Sequence, residues 1–78
     1  MDKEAIKEKL QPIFSRTFKS DIEVTDSLTA NDVDNWDSLT HMILISEVEK
    51  DFGITFKLKE LNKMKNVGNM ADIIMSKL

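Results

Sequence analysis

The 78-residue sequence predicts an all-α fold: a small four-helix bundle with a long first loop and a short third helix. Three observations predict it. Apolar residues recur at three- and four-residue spacing in separate stretches near the start, middle and end of the chain. No stretch alternates apolar and polar residues as a half-buried strand would. Between the first two periodic stretches lies a polar segment in which the helical period fades.

Ala5, Ile6, Leu10, Ile13, Phe14 and Phe18 fall on one face of a first helix across about residues 3–18. Pro12 conflicts with that helix, because it has no N–H to donate and its ring meets the preceding turn, at about 3 kcal/mol. The sequence therefore predicts either a kink at Pro12 or a late start with Pro12 in the first turn, and the late start is preferred. From Lys19 to Asp37 the chain reads as a long ordered loop anchored by Ile22, Val24, Leu28, Val33 and Trp36. Within it, Thr29-Ala30-Asn31-Asp32 suits one helical turn capped by Thr29.

A second helix is expected from Asp37 or Ser38 to about Asp51, with Met42, Ile45, Val48 and Phe52 on its inner side and Leu44 beside them. Gly53 ends it, since glycine adopts the left-handed conformation that caps a last turn. Ile54 and Phe56 return to the core, and Leu58–Met64 forms the short third helix. The fourth spans Asn66–Leu78, capped by Asn66 or Asn69, with Val67, Met70, Ile73, Ile74 and Leu78 inward. One domain, residues 1–78, accounts for the chain.

A domain of this size buries only about 60% of its unfolded surface. Its expected stability, about 4–12 kcal/mol, leaves little to hold a strained polar active site and favours a helper or binding module over an enzyme. There is no cysteine, which removes disulfides, thiolate catalysis and thiolate metal sites. Any thiol the protein uses must be added to it. No apolar run reaches the roughly 18 residues of a membrane span, and Met1-Asp2-Lys3-Glu4 lacks the plan of a signal peptide, so stable membrane insertion is not expected and a cytoplasmic location is. Net charge is −3, but residues 21–51 hold nine acidic side chains and one basic. That field repels nucleic acid and favours encounter with positively patched proteins. Small size and charged composition favour a monomer.

Trp36-Asp37-Ser38-Leu39 marks the junction of the acidic loop with the second helix. Unpaired N–H groups and the positive end of the helix dipole favour an anion there, so Ser38 suits a phosphate-linked group. Asp and Ser are also preferred helix caps with no chemistry attached. The surrounding pattern separates these readings. With its amphipathic first helix, long acidic loop, Asp37-Ser38-Leu39, the helix through Glu49, Phe52-Gly53-Ile54 and the closing Asn66-Val67-Gly68-Asn69-Met70 helix, the sequence resembles the acyl carrier protein family over essentially its whole length.

The resemblance implies that Ser38 receives phosphopantetheine from coenzyme A through a phosphopantetheinyl transferase. Acyl-loading and acyl-transferring enzymes would then use the arm's thiol. It implies a partner-binding surface of Asp37, Leu39, Ile43 and Glu47, and an acyl cleft drawn from Met42, Leu44, Ile45, Val48, Phe52, Ile54 and Ile73. Apolar residues at helical spacing are ordinarily core, and these must be core whatever else they do. Thr40, Ile43 and Lys50 stand where carriers of fatty-acid synthesis commonly present acid, which fits a specialised pathway such as surface-polysaccharide or secondary-metabolite acylation better.

His41, the single histidine, lies three residues beyond Ser38. It has no second base, oxyanion donors or metal-ligand cluster around it, so solvent exposure or a partner contact is expected and a Ser38–His41 hydrolase is the least favoured function. Trp36 reads as a loop anchor rather than a stacking platform. Asp32, Asp34 and Asp37 lack the glycine and terminal glutamate of a calcium loop, so no metal site is expected. The main alternative is a carrier-like bundle that bears no prosthetic group and only docks proteins through its acidic face.

Overall fold

Asp2 starts the first helix by accepting a hydrogen bond from the Ala5 N–H at 2.9 Å. In the computed structural model, which describes residues 2–78, this helix, α1, runs unbroken over Lys3–Phe18 with Pro12 inside it. The preferred late start at Pro12 is therefore corrected. Ile6 and Leu10, both fully buried, lie before the proline and enter the core only if the helix already exists there. Each contributes about 1.5–3 kcal/mol on burial, which outweighs a proline defect of about 3 kcal/mol. The carbonyl deprived of a partner belongs to Glu8, an exposed residue, where water can satisfy it.

Lys19, in the left-handed conformation, closes α1. The following loop is ordered by α1 and by the last helix. Gln11 spans the gap from α1, its amide NH2 donating to the Ile22 carbonyl and its oxygen accepting from the Val24 N–H at 3.0 Å. Lys7 and Lys3 hold Asp26 at 2.8 and 3.3 Å, which keeps that carboxyl below its ordinary range. A 3-10 turn follows at Ala30–Asp32, where the Thr29 N–H and hydroxyl both donate to the Asp32 carboxylate.

α2 spans Ser38–Phe52 and ends at Gly53, whose φ of 67° is left-handed and whose N–H donates to the Glu49 carbonyl at 2.8 Å. Leu44, Ile45 and Val48 are its buried residues. Met42, expected inside, is 56% exposed, because it lies well around the helix from the stripe that faces α1. Phe56 is buried and Ile54 half-buried. α3 is one turn, Leu58–Leu61, rather than reaching Met64. Asn62 and Lys63 are exposed and offer no apolar face to extend it, while half-buried Met64 turns back toward the bundle.

α4 spans Val67–Lys77, with Asn66 as its cap accepting from the Asn69 N–H at 2.8 Å. Its first N–H groups are satisfied by the loop: Val67 donates to the Leu28 carbonyl and Gly68 to that of Asp26, both at 2.9 Å. A Cβ at position 68 would stand 3.1 Å from the Asp26 oxygen, so any larger residue would push this crossing apart by a few tenths of an ångström. Leu78, expected inward, is 55% exposed past the end of the helix, and Ile73 is half-buried. Phe14, Ile6, Leu10 and Ile13 of α1 form the centre of the core against Leu44 and Val48 of α2 and Val67, Met70 and Ile74 of α4. No described helix is long and apolar enough to cross a membrane.

Candidate functional site

The turn that leads into α2 is built by its own side chains. Asp37 is the N-cap: its carboxylate accepts from the Thr40 N–H at 3.0 Å, and its own N–H donates to Thr40 Oγ1 at 2.8 Å. The Thr40 hydroxyl donates in turn to the Asn35 carbonyl at 2.6 Å, and Asn35 sits at φ 71°, a left-handed position that asparagine tolerates. The Thr40 N–H holds the Asp37 carboxyl below its ordinary value of 3.8. Capping thus falls to Asp37 and leaves Ser38 free of it.

Ser38 is the first residue of α2 and is exposed. Among the described residues its hydroxyl has no hydrogen-bond partner and its N–H no acceptor, while the Leu39 N–H is turned toward the Asp37 carboxylate. An anion on Ser38 Oγ would meet the open Ser38 N–H and the positive end of a four-turn helix. Beside Ser38 and Asp37 opens a groove of about 400 Å³, walled by Trp36, His41, Met64 and Met70, with Lys65 and Asn66 on its rim. Lys65 is the one cation among the lining residues. A phosphodiester joined to an amide-containing apolar arm fits this set of groups: free hydroxyl, helix N-terminus, single cation, and walls of mixed polarity.

Trp36 packs against Phe14 and Phe18 of α1, with ring centroids 5.5 and 5.3 Å away. It is the loop anchor expected from the sequence. His41 is not a surface residue, however. It is half-buried, its Nδ1 accepts from the Trp36 indole N–H at 3.1 Å, and burial pushes its imidazole below 6.5. The two groups nearest Ser38 in sequence that might take its proton, Asp37 and His41, are both engaged as acceptors elsewhere. With neither group hydrogen-bonded to the Ser38 hydroxyl, the described residues hold no serine–base pair, and the site is suited to bearing a group rather than to attacking with the serine.

Leu39 and Ile43 share the outward face of α2, 72% and 47% exposed, and Met42 joins them there. Glu47, one turn beyond Ile43, has its carboxylate 3.0 Å from Arg16 of α1. Of the residues expected to line an acyl cleft, Leu44 and Val48 are fully buried core. The open groove uses Met64, Met70, Trp36 and His41 instead, which sequence reasoning did not group. The available signal was the pair of methionines on either side of the Asn66 cap, flexible side chains suited to an adaptable wall. Asp32 and Asp37 are committed to Thr29 and Thr40, and no group of three or more acidic or imidazole side chains among the described residues converges on a metal position.

A family model described as a phosphopantetheine attachment site matches residues 8–74. Among solved structures, the solution NMR structure of holo acyl carrier protein from Geobacter metallireducens is 46% identical, with a TM-score of 0.88, and the match covers 92% of this chain and 84% of that one. No curated protein matches the chain.

Proposed function

The chain belongs to the phosphopantetheine-attachment family of acyl carrier proteins, and from that premise we propose that Ser38 is the point at which its prosthetic group is joined. The protein is a carrier and not a catalyst, and phosphopantetheine is its covalent group. The observation that carries Ser38 is its exposed hydroxyl, unbonded at the N-terminus of α2 and opening on the groove. When bound, phosphopantetheine supplies the thiol that this cysteine-free chain lacks, on which acyl groups are held as thioesters.

The chain's own residues have supporting tasks in this reading. Asp37 and Thr40 fix the turn, the open N–H of Ser38 faces the phosphodiester, and Lys65 balances its charge from the rim. Neither Asp37 nor His41 is hydrogen-bonded to the Ser38 hydroxyl, and we assign the base that deprotonates Ser38 to the phosphopantetheinyl transferase. Acyl-loading and acyl-transferring enzymes are the remaining partners, and residues 1–78 act as one carrier domain. The patch of Leu39, Met42 and Ile43 is the surface they grip, with Asp37 and Glu47 at its margins. An apolar rather than acidic outer face supports service in a specialised pathway, of the polysaccharide or secondary-metabolite kind, over housekeeping fatty-acid synthesis.

Intact-protein mass spectrometry after incubation with coenzyme A and a broad-specificity phosphopantetheinyl transferase tests the assignment. One phosphopantetheine is expected on the native chain and none on Ser38→Ala. Since Asp37 is the cap, Ser38→Ala should shift the denaturation midpoint by no more than an ordinary surface change, about 0.5 kcal/mol. Modification that persists in Ser38→Ala would place the site elsewhere. A folded native chain left unmodified by several transferases would favour a docking module without a prosthetic group.

A further inference from the structure

We propose that Trp36 and His41 form a latch on the turn that presents Ser38, closed by the indole-to-imidazole hydrogen bond and opened when His41 takes up a second ring proton. The inference rests on three features of the structure. Trp36 immediately precedes the Asp37 cap, and its ring is fixed against Phe14 and Phe18, so it ties the loop to α1. Its Nε1–H donates to His41 Nδ1, one turn into α2, at 3.1 Å, so the same ring ties the loop to α2. Its backbone N–H makes only a long bond, 3.4 Å, to the Val33 carbonyl, so at residue 36 itself the side chain is the stronger tether, beside the Thr40 hydroxyl that holds Asn35 and Asp37.

The bond specifies a protonation state. An indole N–H only donates, so His41 Nδ1 must be bare and the ring proton must sit on Nε2. In the imidazolium both nitrogens donate, and donor would then face donor. The rings lie 21° from parallel with centroids 6.0 Å apart, and an N···N distance of 3.1 Å at that separation sets them edge to edge. The imidazolium therefore gains no aromatic face to offset the lost bond.

The titratable groups that share the groove with His41 are Asp37, on the cap of its own helix, and Lys65, on the connection before α4. Asp37 is held by Thr40, and its negative charge favours a proton on His41, while Lys65 opposes one. α1 presents Phe14 and Phe18 to the Trp36 ring, α4 contributes Met70 to the groove, and the loop contributes Ala30. Burial, the remaining influence, also favours the neutral ring.

The chain contains one tryptophan and one histidine, so each side of the latch has its own spectroscopic signal. Tryptophan emission and the NMR resonances of the imidazole should be followed from about pH 8 to pH 5. Both should report one transition with a shared midpoint below 6.5. His41→Asn places a non-titrating acceptor near the Nδ1 position, and its emission should stay at the high-pH value throughout. His41→Leu, with no acceptor, should show the low-pH emission at every pH, and Trp36→Phe should move the imidazole midpoint upward. Emission that ignores the titration of His41, or a transition that persists in His41→Asn, would overturn the latch, and the native protein alone decides the first of these. None of the readouts passes through Ser38, so the latch and the attachment site stand or fall separately.

Discussion

Asp37 and Ser38 are neighbours with different tasks, one holding the helix and the other left free. Serine and aspartate compete for the N-cap in sequence terms, and the extended backbone at Asp37, with φ −120° and ψ −170°, gives the position to aspartate. Asp37→Ala should lower the urea midpoint, whereas Asp37→Asn, which also caps well, should retain most of the stability. The pH dependence distinguishes them further. The folded-state value of Asp37 is depressed by the Thr40 N–H, so its contribution is present above 3.8 and is lost as pH falls through the lower folded value. Urea melts over that range should therefore show a smaller acid loss for Asp37→Asn than for the native chain. An equal loss in both would mean that the cap is indifferent to charge.

The helices show how local preference and packing are weighed against each other. α1 accepts a proline in its interior because residues on both sides of it are buried, and no break at Pro12 would keep them so. Pro12→Ala restores the missing N–H at an exposed position, and against that gain stands the looser unfolded chain, about 0.4–1 kcal/mol. A net stabilisation of about 2 kcal/mol is expected, measured by denaturant titration. Unchanged or reduced stability would show that the proline carries a packing role invisible in its exposure. α3 fails to extend for the opposite reason: Leu58 is 75% exposed and its four residues contain none that is buried, so no tertiary contact supports a longer helix.

Across the whole molecule, one small core bears nearly all the stability. Ile74 is fully buried, and Ile74→Ala should cost about 2–5 kcal/mol against an expected total of about 4–12 kcal/mol. Circular dichroism melts should show a large loss of midpoint; a loss below about 1 kcal/mol would mean that the site collapses around the smaller side chain. Charge is arranged at the same scale. Part of the acidic segment is neutralised where it meets α1, through Asp26 with Lys7 and Lys3 and Glu47 with Arg16. Lys57, Lys59, Lys63 and Lys65 fall within or beside α3, so basic residues concentrate there and acidic ones in the loop before α2.

The sequence by itself determined the helices with strong period and clear punctuation: α1, α2 and α4, the Gly53 stop, a start of α2 at Asp37 or Ser38, and an asparagine cap on α4 at Asn66 or Asn69. These are set by interactions within three or four residues, which any reader of the chain can pair. Only the tertiary structure decided that α1 runs through Pro12, that Met42 and Leu78 face outward, that Gln11 clamps the loop, that Gly68 lets the Asp26 backbone approach, and that His41 accepts from Trp36 beside an open groove. Most of these depend on which groups from separate elements meet, and local spacing carries no record of those meetings. Helical periodicity names a face, but the neighbouring elements decide which part of that face is covered.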